Sequence, residues 1–166
     1  ELAGRFADGW HALMLTRDGL TERFEDLERG AELAGKDPDD VRTTLSLTCC
    51  ALEDGKRARE LVRQHLAFYL GGMGTYYRDN LARQGHEELA HGIYDAWNDG
   101  RREEATAMID DDLLDAMAVG GTPERARDLL AEFEAIDGVD AVSVSFPRGA
   151  DVEEILATME ALAPDA

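Results

Sequence analysis

Residues 65–80 read HLAFYLGGMGTYYRDN and hold four of the eleven aromatic residues and three of the 16 glycines of the chain. It begins as the apolar face of a helix and is then interrupted by Gly71, Gly72 and Gly74. A glycine inside a helix costs about 1 kcal/mol relative to alanine. We therefore expect the helix to stop near Gly71 and to resume near Thr75. The pattern fits two structures: a helix–turn–helix corner whose tyrosines cap a core, or a loop that lines a pocket.

Three segments around this stretch have the composition of buried parallel strands. Residues 9–16 form an almost continuous apolar run, and residues 41–52 and 139–146 are rich in β-branched and apolar side chains. Helical patterns separate the three segments, which predicts an α/β fold built from parallel βα units in a single domain, residues 1–166. Residues 76–119 contain only helical patterns, so we expect a helical insertion there.

The run FYLGGMGTYYR, residues 68–78, resembles the luciferase-like superfamily, in particular its coenzyme F420-dependent oxidoreductases. The entry ADGW, residues 7–10, is similar to the opening of the sixth strand in that family, and GTPERA, residues 121–126, resembles its final unit. These proteins are (β/α)8 TIM barrels. The resemblance implies that the chain is the C-terminal part of such a barrel, about strands six to eight with their helices. Strands one to five are expected upstream of Glu1.

The same resemblance implies an activity: hydride transfer between coenzyme F420 and a small organic substrate, as in methylenetetrahydromethanopterin reductase. An FMN-dependent monooxygenase of the same superfamily is the nearest alternative. A truncated, non-catalytic subunit or binding module is the alternative from another class. Three strands cannot close an eight-stranded barrel, so we expect either a homodimer or a need for the missing N-terminal half.

Active sites of such barrels lie at the carboxyl ends of the strands, and the glycine break is expected to face those ends. The predicted cofactor-binding residues are Thr16, Arg17, Gly72, Met73, Tyr76 and Arg148. The two arginines are chosen because a guanidinium group pairs bidentately with phosphate or carboxylate. Solvated loop arginines, and core positions for the methionine and the tyrosine, are the alternatives. His11 is expected to pack inside its strand, and the catalytic residues are unknown.

Two apparent motifs do not predict a site. The glycines follow a helix and lack the Gly-Lys-Ser/Thr ending, so they are no phosphate loop. His86 and His91 are five residues apart, whereas four would place both imidazoles on one helix face, so we predict no metal site and surface positions for both. The neighbours Cys49 and Cys50 are expected to be reduced, buried and structural, in a cytoplasmic protein.

The charge of the chain excludes some partners. Its 166 residues include 36 acidic and 17 basic side chains, a formal net charge of -19 that repels nucleic acid and anionic membranes. The chain contains no run of about 18 apolar residues, so no membrane span is predicted. Only Lys36 and Lys56 are lysines, which suggests a halophilic source rather than an ordinary acidic mesophile. Haloarchaea make coenzyme F420, so a haloarchaeal member of the family is expected.

A last expectation concerns the faces of the sheet. The three predicted strands have the pattern of strands buried on both faces, but helices of this chain can cover only the outer face of a barrel. We therefore expect an exposed apolar patch of several hundred Å² on the inner face.

Overall fold

A computed structural model describes residues 1–164 and contains a four-stranded sheet in which every pairing is parallel. The strands are β1 (Gly9–Leu13), β2 (Arg42–Ala51), β3 (Val119–Gly121) and β4 (Ala141–Ser145). β2 is central, because its residues 42–46 pair with β1 while residues 44–48 pair with β4 on the opposite side. The three predicted strands are confirmed as β1, β2 and β4.

The short strand β3 was not predicted. The sequence pattern placed Val119 at the end of a helix, but Val119–Gly121 pairs with residues 49–51 of β2. This pairing extends beyond the ends of β1 and β4, because β2 is twice as long as either of them at 10 residues against 5.

Nine α-helices lie within residues 1–164. They are α1 (Leu2–Phe6), α2 (Arg17–Leu33), α3 (Gly55–Gly72), α4 (Tyr76–Leu81), α5 (Glu87–Asn98), α6 (Arg102–Ala107), α7 (Asp111–Met117), α8 (Pro123–Glu134) and α9 (Val152–Leu162). A short 3₁₀ turn (Pro38–Asp40) precedes β2, and a π-helical segment (Ala82–His86) joins α4 to α5. None of the helices in this part of the chain is both long and apolar enough to cross a bilayer.

The predicted helix break is confirmed between α3 and α4. Gly74 has a φ of 76°, a left-handed conformation that glycine adopts without steric cost. The pair before it has a different role, since a Cβ on Gly71 would lie 2.5 Å from Cγ of Trp97 and one on Gly72 would lie 2.9 Å from its Nε1. These glycines allow the Trp97 side chain of α5 to pack directly on α3.

Alternate residues of β2 face two different cores. Leu45, Leu47 and Cys49 pack with side chains of α2, α8 and α9. Cys50, on the opposite face, packs with α3, α5 and α7. The five helices α3 to α7 between β2 and β3 thus cover the second face, at the carboxyl ends of the strands.

Below these helices the second face of the sheet is open, and it is polar rather than apolar. Thr44 and Ser46 of β2 are only half-buried, and Leu13 of β1 is 39% exposed. The expectation of an open face is confirmed, but its predicted apolar character is wrong, because threonine and serine alternate with leucine along β2. His11 was expected to be packed and is instead exposed on this face.

Of the ten large apolar side chains that are exposed within residues 1–164, seven lie on the outer helices and at the β4 edge instead. They are Leu2, Phe6, Leu33, Val144, Val152, Leu156 and Met159.

Both cysteines are free and buried, as predicted. Burial raises the pKa of the Cys49 thiol to about 12 and that of the Cys50 thiol to about 11. Because the thiolate is the reactive form, these side chains are inert packing residues at neutral pH.

Candidate active site

A cavity of about 190 Å³ lies where the open sheet face meets the covering helices. Its floor is formed by hydroxyl-bearing residues of the sheet, Ser46 and Thr48 of β2 and Ser145 of β4. The remaining lining residues are Leu13, Met14, His65, Tyr69, Met117 and Phe146. The carboxyl ends of three parallel strands therefore meet at one small cavity with a polar floor and a largely apolar rim.

His65 is the buried titratable group of this cavity, with 8% of its surface exposed. Its Nδ1 accepts a hydrogen bond of 3.0 Å from the backbone N–H of Arg148, in the loop after β4. Its ring stacks on Tyr69, with 4.8 Å between the centroids and 26° between the planes. Burial first, and then the positive charge of Arg148, lower the pKa of His65 to about 4. The imidazole is therefore neutral at pH 7 and fastens the β4 loop to α3.

Met14, directly after β1, is held in a strained conformation. Its φ of 55° is left-handed, which is uncommon for a residue with a side chain. Its carbonyl oxygen accepts hydrogen bonds from Asn80 Nδ2 at 2.9 Å and Gln84 Nε2 at 3.4 Å. Strained residues of this kind persist only where the surroundings fix them, and they are frequent at functional sites.

Thr16 and Arg17 follow β1 as predicted, but neither lines the cavity. Thr16 caps α2, and its backbone N–H donates to Gln84 Oε1 at 2.7 Å. Arg17 pairs with Glu132 at 2.5 Å, and its guanidinium lies 4.7 Å from the ring centroid of Phe133. Both side chains are engaged by other parts of the protein.

The other four predicted residues are dispersed. Gly72 ends α3 beside Trp97, and Met73 in the following turn is 46% exposed. Tyr76 is 68% exposed and lines a groove of about 300 Å³ along β1, together with His11 and Leu13. The guanidinium of Arg148 lies 4.0 Å from the ring centroid of Phe68, one turn of α3 beyond His65.

The six residues thus form no single cluster, and their contact with a cofactor remains a prediction. The glycine turn itself is not part of the cavity. The contact with the end of β1 is made by the helical residues after the turn, through the amides of Asn80 and Gln84.

Sequence reasoning missed the residues that do line the cavity. His65 and Tyr69 lie in a stretch whose pattern predicts only an apolar helix face. The alternation of Thr44, Ser46 and Thr48 with leucines was a usable signal, since period-two alternation marks a strand with one polar face. Within residues 1–164, no group of three histidine, cysteine or acidic side chains is placed to hold a metal ion.

The family model of the luciferase-like monooxygenases matches residues 1–140. A Mycobacterium tuberculosis protein named as a coenzyme F420-dependent oxidoreductase is 25% identical over 162 residues, which are 94% of this chain and 46% of that protein. The 5,10-methylenetetrahydromethanopterin reductase of Methanopyrus kandleri is 29% identical over 162 residues, 94% of this chain and 44% of the reductase. The chain thus spans less than half the length of both relatives.

Solved structures show the same relationship in three dimensions. The coenzyme F420-dependent tetrahydromethanopterin reductase of Methanopyrus kandleri has a TM-score of 0.70 and 25% identity, covering 95% of this chain and 44% of the reductase. An F420-dependent secondary alcohol dehydrogenase shares the fold, with a TM-score of 0.65 and 18% identity, covering 98% of this chain and 45% of that one. The expected fold, part of a luciferase-like (β/α)8 barrel, is confirmed. The chain belongs to the luciferase-like monooxygenase family.

Proposed function

We propose that this chain forms the C-terminal wall of the active site of an oxidoreductase. The enzyme would transfer hydride between coenzyme F420 and a small organic substrate of the kind used by methylenetetrahydromethanopterin reductase. The observation that carries the proposal is the open polar sheet face ending in a cavity at the carboxyl ends of its strands. Barrel enzymes place their active sites at this end. The relatives named for coenzyme F420 support the choice of cofactor.

The cavity has the chemistry that a planar heteroaromatic ring requires. Leu13, Met14, Met117 and Phe146 offer apolar contact to the faces of a ring. The sheet hydroxyls offer hydrogen bonds to its polar edges, as in other sites with mostly apolar walls and a few placed polar groups. When bound, coenzyme F420 would supply the carbon that accepts or donates hydride. The residues of this chain would orient the ring and exclude water around it.

Two other functions remain as alternatives. An FMN-dependent monooxygenase is favoured by the description of the matching family model, and the same cavity chemistry would suit a flavin ring. A non-catalytic subunit or binding module is favoured by the open face of the sheet, which would dock on a complementary partner.

The sheet of this chain is only part of a barrel and would need further strands to close it. We propose that a complementary N-terminal half supplies the other strands, because a second copy with its own charge of -19 would be repelled at low salt. A homodimer is the alternative. The predicted helical insertion, residues 76–119, contains α4 to α7. Together with α3, these helices would cover the mouth of the complete barrel.

The two free cysteines support a reducing, cytoplasmic location.

Titration of the purified chain with coenzyme F420 and, separately, with FMN tests the proposal. We expect coenzyme F420 to raise the melting temperature, since a ligand that binds only the folded state stabilises it. Ser46→Leu, which would fill the cavity, should abolish this rise. Ser143→Leu is the matched control, because Ser143 is on the same sheet face but does not line the cavity.

The result decides between the three functions. A response to FMN alone would favour the monooxygenase. If neither cofactor raises the melting temperature of a folded chain, the chain does not bind the cofactor ring on its own. That result would favour the binding module.

A further inference from the structure

The two ring nitrogens of His65 have different environments. Nδ1 accepts the backbone N–H of Arg148 at 3.0 Å, so it carries no proton. In a neutral imidazole the proton must then be on Nε2. Within residues 1–164, Nε2 has no hydrogen-bond partner. It is also not one of the unpartnered polar side-chain atoms that are fully buried. The ring lines the cavity, so this N–H is the unused donor of the histidine.

The orientation of the ring is fixed from two directions. One face stacks on Tyr69, whose own ring is held edge-on by Phe68 at 5.8 Å and by Tyr77 at 5.0 Å between centroids. The loop after β4 fixes Nδ1, and that loop is itself held by the contact of Arg148 with Phe68. A ring fixed in this way cannot exchange its donor and acceptor edges by rotating.

None of the other polar groups of the cavity, the hydroxyl of Tyr69 included, is fixed as a donor to a ligand. The hydroxyls of Ser46 and Thr48 can each donate or accept. The hydroxyl of Ser145 already donates to the carbonyl oxygen of Leu47 at 3.0 Å, which leaves it as an acceptor. His65 is therefore the fixed donor of the cavity, and it favours an acceptor on the part of a ligand that faces it.

We propose that His65 is a specificity-determining residue whose Nε2–H donates a hydrogen bond to an acceptor on the edge of the cofactor ring. The acceptor class is a carbonyl oxygen or an unprotonated ring nitrogen of a planar heteroaromatic molecule. The inference rests on the proposed function, because it places that ring in the cavity. The role is binding and orientation, not proton transfer.

The first test needs no cofactor. Nitrogen-15 NMR of the histidine side chains reports which nitrogen carries the proton. We expect His65 to have an unprotonated Nδ1 and a protonated Nε2 at pH 7. A proton on Nδ1, or a doubly protonated ring at that pH, would overturn the proposal.

The second test compares two substitutions that separate the nitrogens. His65→Asn can keep an acceptor near the position of Nδ1 but has no atom at Nε2, whereas His65→Gln can place an amide donor near Nε2. We expect the Asn variant to bind the cofactor about three- to tenfold more weakly, the range for one neutral hydrogen bond. The Gln variant should bind within about twofold of the wild type. Gln64→Ala, on an exposed neighbour in α3, is the control and should bind as the wild type does.

Each remaining outcome also decides the question. Equal loss in the Asn and Gln variants would show a merely structural role, and unchanged binding in both would show that His65 does not touch the ligand. A wild-type chain that binds neither coenzyme F420 nor FMN would overturn the role together with the proposed function. The NMR result would then tell whether the histidine geometry or only the identity of the site was wrong.

Discussion

Gly71 of α3 and Trp97 of α5 are in direct contact, since a Cβ on Gly71 would lie 2.5 Å from Cγ of the tryptophan. The tryptophan also stands edge-on to Phe68, with 5.9 Å between ring centroids. The most glycine-rich part of the chain is therefore a helix-packing contact followed by a turn. The double glycine of this motif is explained by the approach of an indole ring rather than of a ligand.

We expect Gly71→Ala to destabilise the fold by about 1–3 kcal/mol, because the added methyl group overpacks the contact with Trp97. Gly92→Ala in α5 is the matched control, as its Cβ would lie 3.5 Å from Sδ of Met108. That change should be neutral or stabilising by up to about 1 kcal/mol through helix propensity. Urea unfolding measures both free energies, and equal stability of the two variants would contradict the packing explanation.

Gln84 fastens the helical layer to the sheet. Its Oε1 accepts the backbone N–H of Thr16 at 2.7 Å, and its Nε2 donates to the carbonyl oxygens of Met14 and Asn80. We expect Gln84→Ala to cost about 1–3 kcal/mol, because it leaves the backbone N–H of the buried Thr16 without a partner. Hydrogen exchange should accelerate in α4 and at Thr16. The exposed neighbour Arg83 gives the control Arg83→Ala, and equal exchange in both variants would contradict this anchoring role.

The lowered pKa of His65 makes stability depend on pH with a defined sign. The unfolded chain binds the proton near the ordinary pKa of about 6.5, but the folded chain does so only near 4. The contribution of His65 to stability is therefore full above pH 6.5 and is lost as the pH is lowered toward 4, by about 1–3 kcal/mol. Urea unfolding at pH 7 and pH 5 should show a smaller loss for His65→Asn than for the wild type. Identical losses would show that the group is not protected from protonation.

The charge of -19 predicts a strong effect of salt on stability. Raising the salt from about 0.1 M to above 1 M shortens the screening length from about 10 Å to 3 Å and reduces self-repulsion. We expect the melting temperature to rise over this range. Sodium chloride is the salt of choice, because sulfate would also strengthen apolar burial. A flat or falling melting temperature would remove the argument for a halophilic source.

The exposed stripe of Leu156 and Met159 on α9 predicts apolar surface that binds dye or a second copy. We expect the purified chain to bind a hydrophobic dye or to self-associate at high salt, measured by sedimentation. Replacing both residues by lysine should reduce dye binding and self-association. In the control, lysine replaces the exposed Glu153 and Glu160. This changes the net charge by more than the test variant does and leaves Leu156 and Met159 in place. A monomeric wild-type chain without dye binding would contradict the predicted association through the apolar surface of α9.

Most of the local structure follows from short stretches of the sequence. Thr122 and Pro123 begin α8 as their residue types require, with the threonine side chain accepting the N–H of Arg125. The glycine break after α3 and the three longer strands were predictable in the same way, whereas the family was indicated by the resemblance of short motifs. Turn preferences, caps and apolar periodicity act over a few neighbouring residues, so they can be read along the chain.

The short strand β3 and the candidate site depend on contacts between distant parts of the chain. Val119–Gly121 is a strand because it pairs with residues 49–51 of β2, about 70 positions away, and three residues have no periodicity of their own. His65 became a candidate because Arg148, 83 positions further along the chain, donates to it beside a sheet of hydroxyls. Such contacts depend on which elements pack together. Nothing in the immediate neighbours of either histidine distinguishes the exposed His11 from the buried His65, because their environments are made by distant parts of the chain.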